Sequence, residues 1–241
     1  MGRTKKRARY EFTKGEKAGL YKAISNRRDV RSQFKPDPVP DRVFAKILNA
    51  AHQAGSVGFM QPWNFILIKD ELIKQQVKAI CDKANLKAAE VYEEPLRTKY
   101  LSMKLEGILE APVNICVTCD PTRGGPHVLG RHTIPETDLY STCCAIQNLW
   151  LAARAEGLGM GWVSILHNED LKAVLKIPSH IIPVAYLCMG YVTHFLKKPE
   201  LEMVGWRNRE SLQKLVFYEQ WGHTPNAQWR VLDRLMGKIK D

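Results

Sequence analysis

Residues 27–31 read Arg27-Arg28-Asp29-Val30-Arg31, three guanidinium groups within five positions, directly after a segment of helical pattern. Guanidinium forks bind phosphate oxygens two at a time, and crowding them together is unfavourable unless an anion offsets the repulsion. Asp29 balances part of the charge from inside the cluster. The alternative is a solvated basic face that continues the N-terminal tail, and the charge pattern alone leaves both open.

The charge of the rest of the chain narrows the choice. The 241 residues carry a net +11, which invites a nucleic-acid reading. Residues 1–35 hold twelve Lys/Arg and three Asp/Glu, a net of +9, so only +2 is left for everything after them. The body is nearly neutral, and residues 1–16 read as a basic, disordered tail with no specific nucleic-acid partner. With 45% apolar and 25% charged residues the composition is that of an ordinary globular protein. No apolar run is long enough to span a bilayer or serve as a secretory signal, so no membrane partner and a cytoplasmic location are expected. The six cysteines fall mostly in apolar segments and read as core residues. Cys116 and Cys119 lie within the strand-like run 113–119, where neither a metal half-site nor a redox helix fits well.

Periodicity organises the remainder as α+β. Helices are expected over 17–27, 40–54, 70–92, 95–110, 136–157 and 168–175, and strands over 63–68, 113–119, 160–165 and 182–192. Helix 136–157 is the most apolar, with Leu139, Cys143, Ile146, Leu149, Trp150 and Ala153 around most of its circumference. Such a helix sits at a domain centre or in a subunit interface. Residues 223–241 look like an appended tail, with Trp229, Val231, Leu232 and Leu235 at helical spacing.

A second segment bears on chemistry. Ser56-Val57-Gly58-Phe59-Met60-Gln61-Pro62-Trp63-Asn64 enters a strand and sets hydroxyl and amide groups beside aromatic ones. Ser56, Gln61 and Asn64 could serve the polar edge of a heterocycle or a ribityl chain. Other candidates are thinner. Glu106 and Glu110 would lie one helical turn apart but lack a metal partner, and His52, His127, His132 and His167 are scattered, so no metal site is expected. His132 and Asp138 have only their position to suggest a site.

Taken in order, Arg-Arg-Asp-Val-Arg, Ser-Val-Gly-Phe-Met-Gln-Pro-Trp-Asn, Leu105-Glu106-Gly107-Ile108, Tyr140-Ser141 through Gln147-Asn148-Leu149-Trp150, and Gly161-Trp162-Val163-Ser164-Ile165 resemble the nitroreductase-like flavoproteins. Within them, Asp29 among the arginines and the Gly-Trp-Val-Ser run resemble the 5,6-dimethylbenzimidazole synthase (BluB) branch. The likeness covers 17–222. It implies a central mixed or antiparallel sheet of four or five strands surrounded by helices, in an interlocked homodimer with flavin sites at the interface.

The resemblance also implies that the flavin is consumed. Reduced FMN and dioxygen would be the substrates, 5,6-dimethylbenzimidazole and erythrose 4-phosphate the products. A separate flavin reductase would supply reduced FMN, drawing on NAD(P)H only indirectly. Arg27, Arg28 and Arg31 match the family's phosphate-binding positions, with Val30 in the same segment, and Arg207 or Arg209 would add a second clamp. Ser56 and the backbone near Leu105 match flavin contacts. Asp29 and Ser164 match the side chains tied to fragmentation. Neighbouring cations should keep Asp29 ionised, as a base for a ribityl proton. Ser164 could instead cap the helix at 168–175. Residues 84–104 would form a lid that excludes nicotinamide. Two other functions stay open: an NAD(P)H-dependent nitroreductase or flavin reductase that retains its FMN, and a basic-tailed RNA-associated or flavin-storage module.

Overall fold

The computed structural model describes residues 10–239, so the expectation for residues 1–9 lies outside the described residues. The chain divides between Lys197 and Lys198 into two compact units. The first holds helices α1 (Lys14–Asn26), α2 (Asp41–His52), α3 (Glu71–Ala89), α4 (Leu96–Leu101), α5 (Thr137–Ala155) and α6 (Asn168–Leu175). It also holds strands β1 (Trp63–Ile68), β2 (Val113–Cys119), β3 (Leu158–Val163) and β4 (Ile182–Tyr191). The second holds α7 (Glu200–Met203) and α8 (Arg230–Met236), the latter inside the tail expected at 223–241. Within it Gln213 Nε2 donates to the Asp233 carbonyl at 2.8 Å, and the Tyr218 and Trp229 rings lie 5.7 Å apart.

The strands form one sheet in the order β1-β2-β4-β3, antiparallel at every pairing. This is the α+β fold expected, with four strands and no parallel pair among them. β2 is buried along its whole length because both faces of the sheet are covered. Val113, Ile115 and Val117 point to one side, into a core shared with Ile47 and Ala51 of α2 and Ile146 and Leu149 of α5. Cys116 points to the other, with Val77 and Cys81 of α3 and Leu171 of α6. Period-two alternation thus places a helical layer on each face.

Local chemistry moved several boundaries. α1 starts at Lys14, earlier than its apolar pattern indicates, because Thr13 and Glu16 form a capping box: the Glu16 N–H donates to Thr13 Oγ1 and the Thr13 N–H to Glu16 Oε2. α4 ends at Leu101, so Glu106 and Glu110 do not share a helix. The Glu106 carboxylate turns the chain there, accepting from the Ile108 N–H at 2.7 Å and from Lys104 Nζ at 2.6 Å. β3 covers 158–163 rather than 160–165, which leaves Ser164 just beyond its end.

α5 has the expected position but not cover on all sides. A stripe of Tyr140, Cys143, Cys144 and Gln147 is exposed, Tyr140 to 57%. Cys143 and Cys144 therefore correct the expectation of uniformly buried thiols, while Cys81, Cys116, Cys119 and Cys188 are buried. Burial pushes the thiols of Cys116 and Cys119 up to about 12 and about 11. Since only the thiolate is nucleophilic, a thiol reagent at neutral pH should modify at most Cys143 and Cys144 in the native protein and all six cysteines in denaturant. Rapid native labelling of more than two would contradict this packing.

Candidate active site

The arginine cluster is an extended segment laid along the free edge of β3. α1 ends at Asn26, and the chain passes through Arg27 in an extended conformation. The Val30 N–H donates to the Met160 carbonyl at 3.0 Å, and Asp29 bridges Met160 in the parallel sense. Asp29 Oδ1 accepts from the Trp162 backbone N–H at 3.0 Å. Glycines allow this approach: a Cβ on Gly161 would stand 2.1 Å from the Val30 carbonyl oxygen, and one on Gly159 2.9 Å from Val30 Cγ2. Gly107 backs onto the same segment from the other side, where a Cβ would meet the Arg31 carbonyl oxygen at 2.5 Å. Leu105 thus belongs to a turn packed on the arginine segment. Gly159 and Gly161 alternating within a strand were the sequence signal of a close backbone approach.

The three arginines have different surroundings. Arg27 lies over the Trp150 ring, 4.6 Å from Cζ to centroid, a cation–π contact that fixes its direction. Arg31 is buried, its Nη2 3.5 Å from Asp29 Oδ2. Arg28 donates to the carbonyls of Ser25, Arg27 and Lys197 at 2.7–2.8 Å. It fastens the end of α1 to the chain after β4. Val30 is likewise structural in setting, with its side chain buried and its N–H bound to β3. Arg154, absent from the expected set, adds a further cation: its Nε donates to the Asn26 carbonyl at 3.0 Å, and burial, with the neighbouring Arg28 charge, lowers its pKa.

Asp29 departs from expectation. Burial raises its pKa, and the charges of Arg31 and Arg27 and the Trp162 N–H only partly oppose that rise. Its side chain keeps 36% of its surface open to water, so a proton can reach it. Ser164 is exposed two residues beyond Trp162. It does not cap α6, whose N-cap is His167 with no side-chain bond to the helix.

Ser56, Gln61 and Asn64 form a separate group. Ser56 Oγ accepts from the Gln61 N–H at 3.1 Å, and Ser141 Oγ of α5 accepts from the Val57 N–H at 3.2 Å. Arg123 donates to the carbonyls of Gln61 and Trp63 at 3.1 Å and to Asn64 Oδ1 at 2.5 Å. Asn64 Nδ2 donates to Thr118 Oγ1 at 3.2 Å, so both ends of its amide serve the fold. This group lies at β1 and the Asp29 group at β3, the two edges of the sheet. Three strand spacings separate those edges, about 14 Å. One chain does not bring the two groups together. Arg207 is exposed and belongs to the second unit.

Residues 24–191 match the model of the nitroreductase family. The chain belongs to the nitroreductase family. It is therefore related to oxidoreductase-type enzymes that depend on flavin. One relative is a 5,6-dimethylbenzimidazole synthase of Rhodospirillum rubrum, 41% identical over 191 residues, 79% of this chain and 90% of that protein. Among solved structures, an iodotyrosine deiodinase bound to FMN and 3-iodo-L-tyrosine superposes with a TM-score of 0.67 at 22% identity, covering 84% of this chain and 100% of that one. A BluB-like flavoprotein of Clostridium difficile 630 gives 0.63 at 20% identity, covering 83% and 99%. At those identities the two structures establish the nitroreductase fold alone. Among the described residues no helix is long and apolar enough to cross a membrane, and no three His, Cys, Asp or Glu come together as a metal set.

Proposed function

We propose that this protein is a 5,6-dimethylbenzimidazole synthase that uses dioxygen to fragment reduced FMN into 5,6-dimethylbenzimidazole and erythrose 4-phosphate. Asp29 carries the reading. Among cations gathered for a phosphate, an acid fixed at the centre sets a proton acceptor beside the ligand. Here Asp29 is held by the Trp162 N–H, partly exposed, with a raised pKa that suits a proton acceptor. The synthase relative, similar over most of both chains, supports the same reading.

Reduced FMN would bring its phosphate to Arg27 and Arg31, with Arg28 and Arg154 adding positive potential. The flavin supplies the oxidisable ring. Asp29 would hold and accept a proton from the ribityl chain, and Ser164 would donate a hydrogen bond nearby. The backbone at Leu105 would line the ring. We place the reaction in a homodimer, since the groups at β1 and β3 lie on opposite edges and α5 leaves a stripe uncovered. Ser56, Gln61 and Asn64 of one copy would then face Arg27 and Asp29 of the other. A flavin reductase in the same cytoplasm would supply the reduced flavin.

Incubating the protein aerobically with chemically reduced FMN should yield 5,6-dimethylbenzimidazole by mass spectrometry. Rapid, repeated NADPH oxidation with the flavin left intact would point instead to a conventional nitroreductase. The phosphate site has its own test. Arg31→Ala should weaken FMN binding by about 2 kcal/mol, roughly thirtyfold, and leave riboflavin binding unchanged. Equal losses for both ligands would place Arg31 outside the phosphate site.

A further inference from the structure

A concavity of about 710 Å³ lies beside the loop that leads into α5. Val128, Leu129 and Pro135 give it apolar walls, and His127, His132, Asp138 and Arg131 also line it, Arg131 donating its two Nη groups to the Pro121 and Gly125 carbonyls. Asp138 is only 7% exposed. Its Oδ1 accepts from the N–H of Leu139 at 2.7 Å, and Oδ2 takes no hydrogen bond from any described residue. A carboxylate oxygen with spare acceptor capacity, in a cleft with apolar walls, matches a flat apolar ligand that carries an N–H. The cleft adjoins the Ser56–Gln61 loop. A Cβ on Gly58 would stand 2.7 Å from the Leu129 carbonyl oxygen, and one on Gly130 2.9 Å from Val57 Cγ1. One wall of the cleft is therefore the backing of a segment assigned above to the flavin.

We infer that this cleft binds a bicyclic N–H heteroaromatic, the benzimidazole product, with Asp138 Oδ2 accepting its N–H and Leu129 and Val128 packing on its ring. The choice of ligand rests on the proposed synthase activity, because that reaction makes a flat, dimethylated bicycle with one N–H. The cleft gives the product a place beside the reaction site but apart from Arg27 and Arg31, which suit a phosphate and not a neutral ring.

The test is titration of the full-length protein with 5,6-dimethylbenzimidazole by calorimetry, with oxidised FMN present at saturation so that the flavin site is filled. Saturable binding is expected, weakened at least tenfold when the ligand is replaced by its N-methylated analogue. Leu129→Ser should weaken binding severalfold without disturbing the fold, since Leu129 is 85% exposed. Asp138→Ala should abolish the preference for N–H over N-methyl, with thermal melting as the check on folding. No binding by wild type, or equal affinity for both ligands, would overturn the assignment. Product formation from reduced FMN, assayed separately on the wild type, tests the synthase reading. A protein that makes the product but does not bind it here loses the cleft proposal alone.

Discussion

Asp29→Asn is expected to bind FMN about as tightly as wild type and to lose its product-forming activity by a factor of about 10²–10⁴, the range of a positioned general base. The amide oxygen can still accept from the Trp162 N–H, so the segment stays on β3 and Arg27 and Arg31 stay in place. What goes is the basic oxygen. The pH dependence follows from the direction of the pKa shift. A base works only when ionised, so wild-type activity is present above the pKa of Asp29 and lost as pH falls through it. Burial puts that midpoint above the ordinary aspartate value. Residual activity in the variant should lack this acidic limb. A variant that cannot bind FMN would make Asp29 structural, and one that turns over normally would remove it from the chemistry.

The second large effect is expected from a residue with no functional group. Gly161→Ala puts a methyl 2.1 Å from the Val30 carbonyl oxygen, a backbone atom in a segment bonded on both sides of it to β3. Something must move, and residues 29–31, whose atoms the methyl meets, are expected to lift off the strand. Overpacking of this kind destabilises by about 1–3 kcal/mol, which in a protein of this size lowers Tm by roughly 2–12 °C. FMN binding should fall with it, since Arg31 and Asp29 move together. Gly55→Ala is the control, because a Cβ there meets nothing within 4 Å. Its Tm and FMN affinity should match wild type. Unchanged FMN affinity in Gly161→Ala would show that the arginine segment does not depend on its seat against β3.

How much of this was legible in the sequence differs from one feature to the next. The four strands and the order of helices followed from apolar periodicity, because both faces of the sheet bury side chains against helices. Boundaries set by polar groups were harder to see. Thr13 and Glu16 start α1 early, and Glu106 bends the chain where a helix was expected, both through local side-chain hydrogen bonds that periodicity does not register. At the site, the arginine cluster and Asp29 were visible as a charge pattern, but their separate roles were not. Arg28 fastens backbone carbonyls, while Arg27 is aimed by Trp150, more than a hundred residues away. The direction of the Asp29 pKa was misjudged because neighbouring cations can be counted in the sequence and burial cannot. The role of Arg123 was not legible, because its partners are two carbonyls and one amide at the start of β1, which no local spacing relates to it.

The central claim is that the flavin is consumed, and isotope transfer tests it most directly. FMN deuterated on its two ring methyl groups would be reduced chemically and mixed with the protein in air. The account predicts 5,6-dimethylbenzimidazole carrying all of that label, formed in step with the loss of flavin and absent with Asp29→Asn. Flavin recovered intact after many equivalents of oxygen, or a benzimidazole without the label, would contradict it.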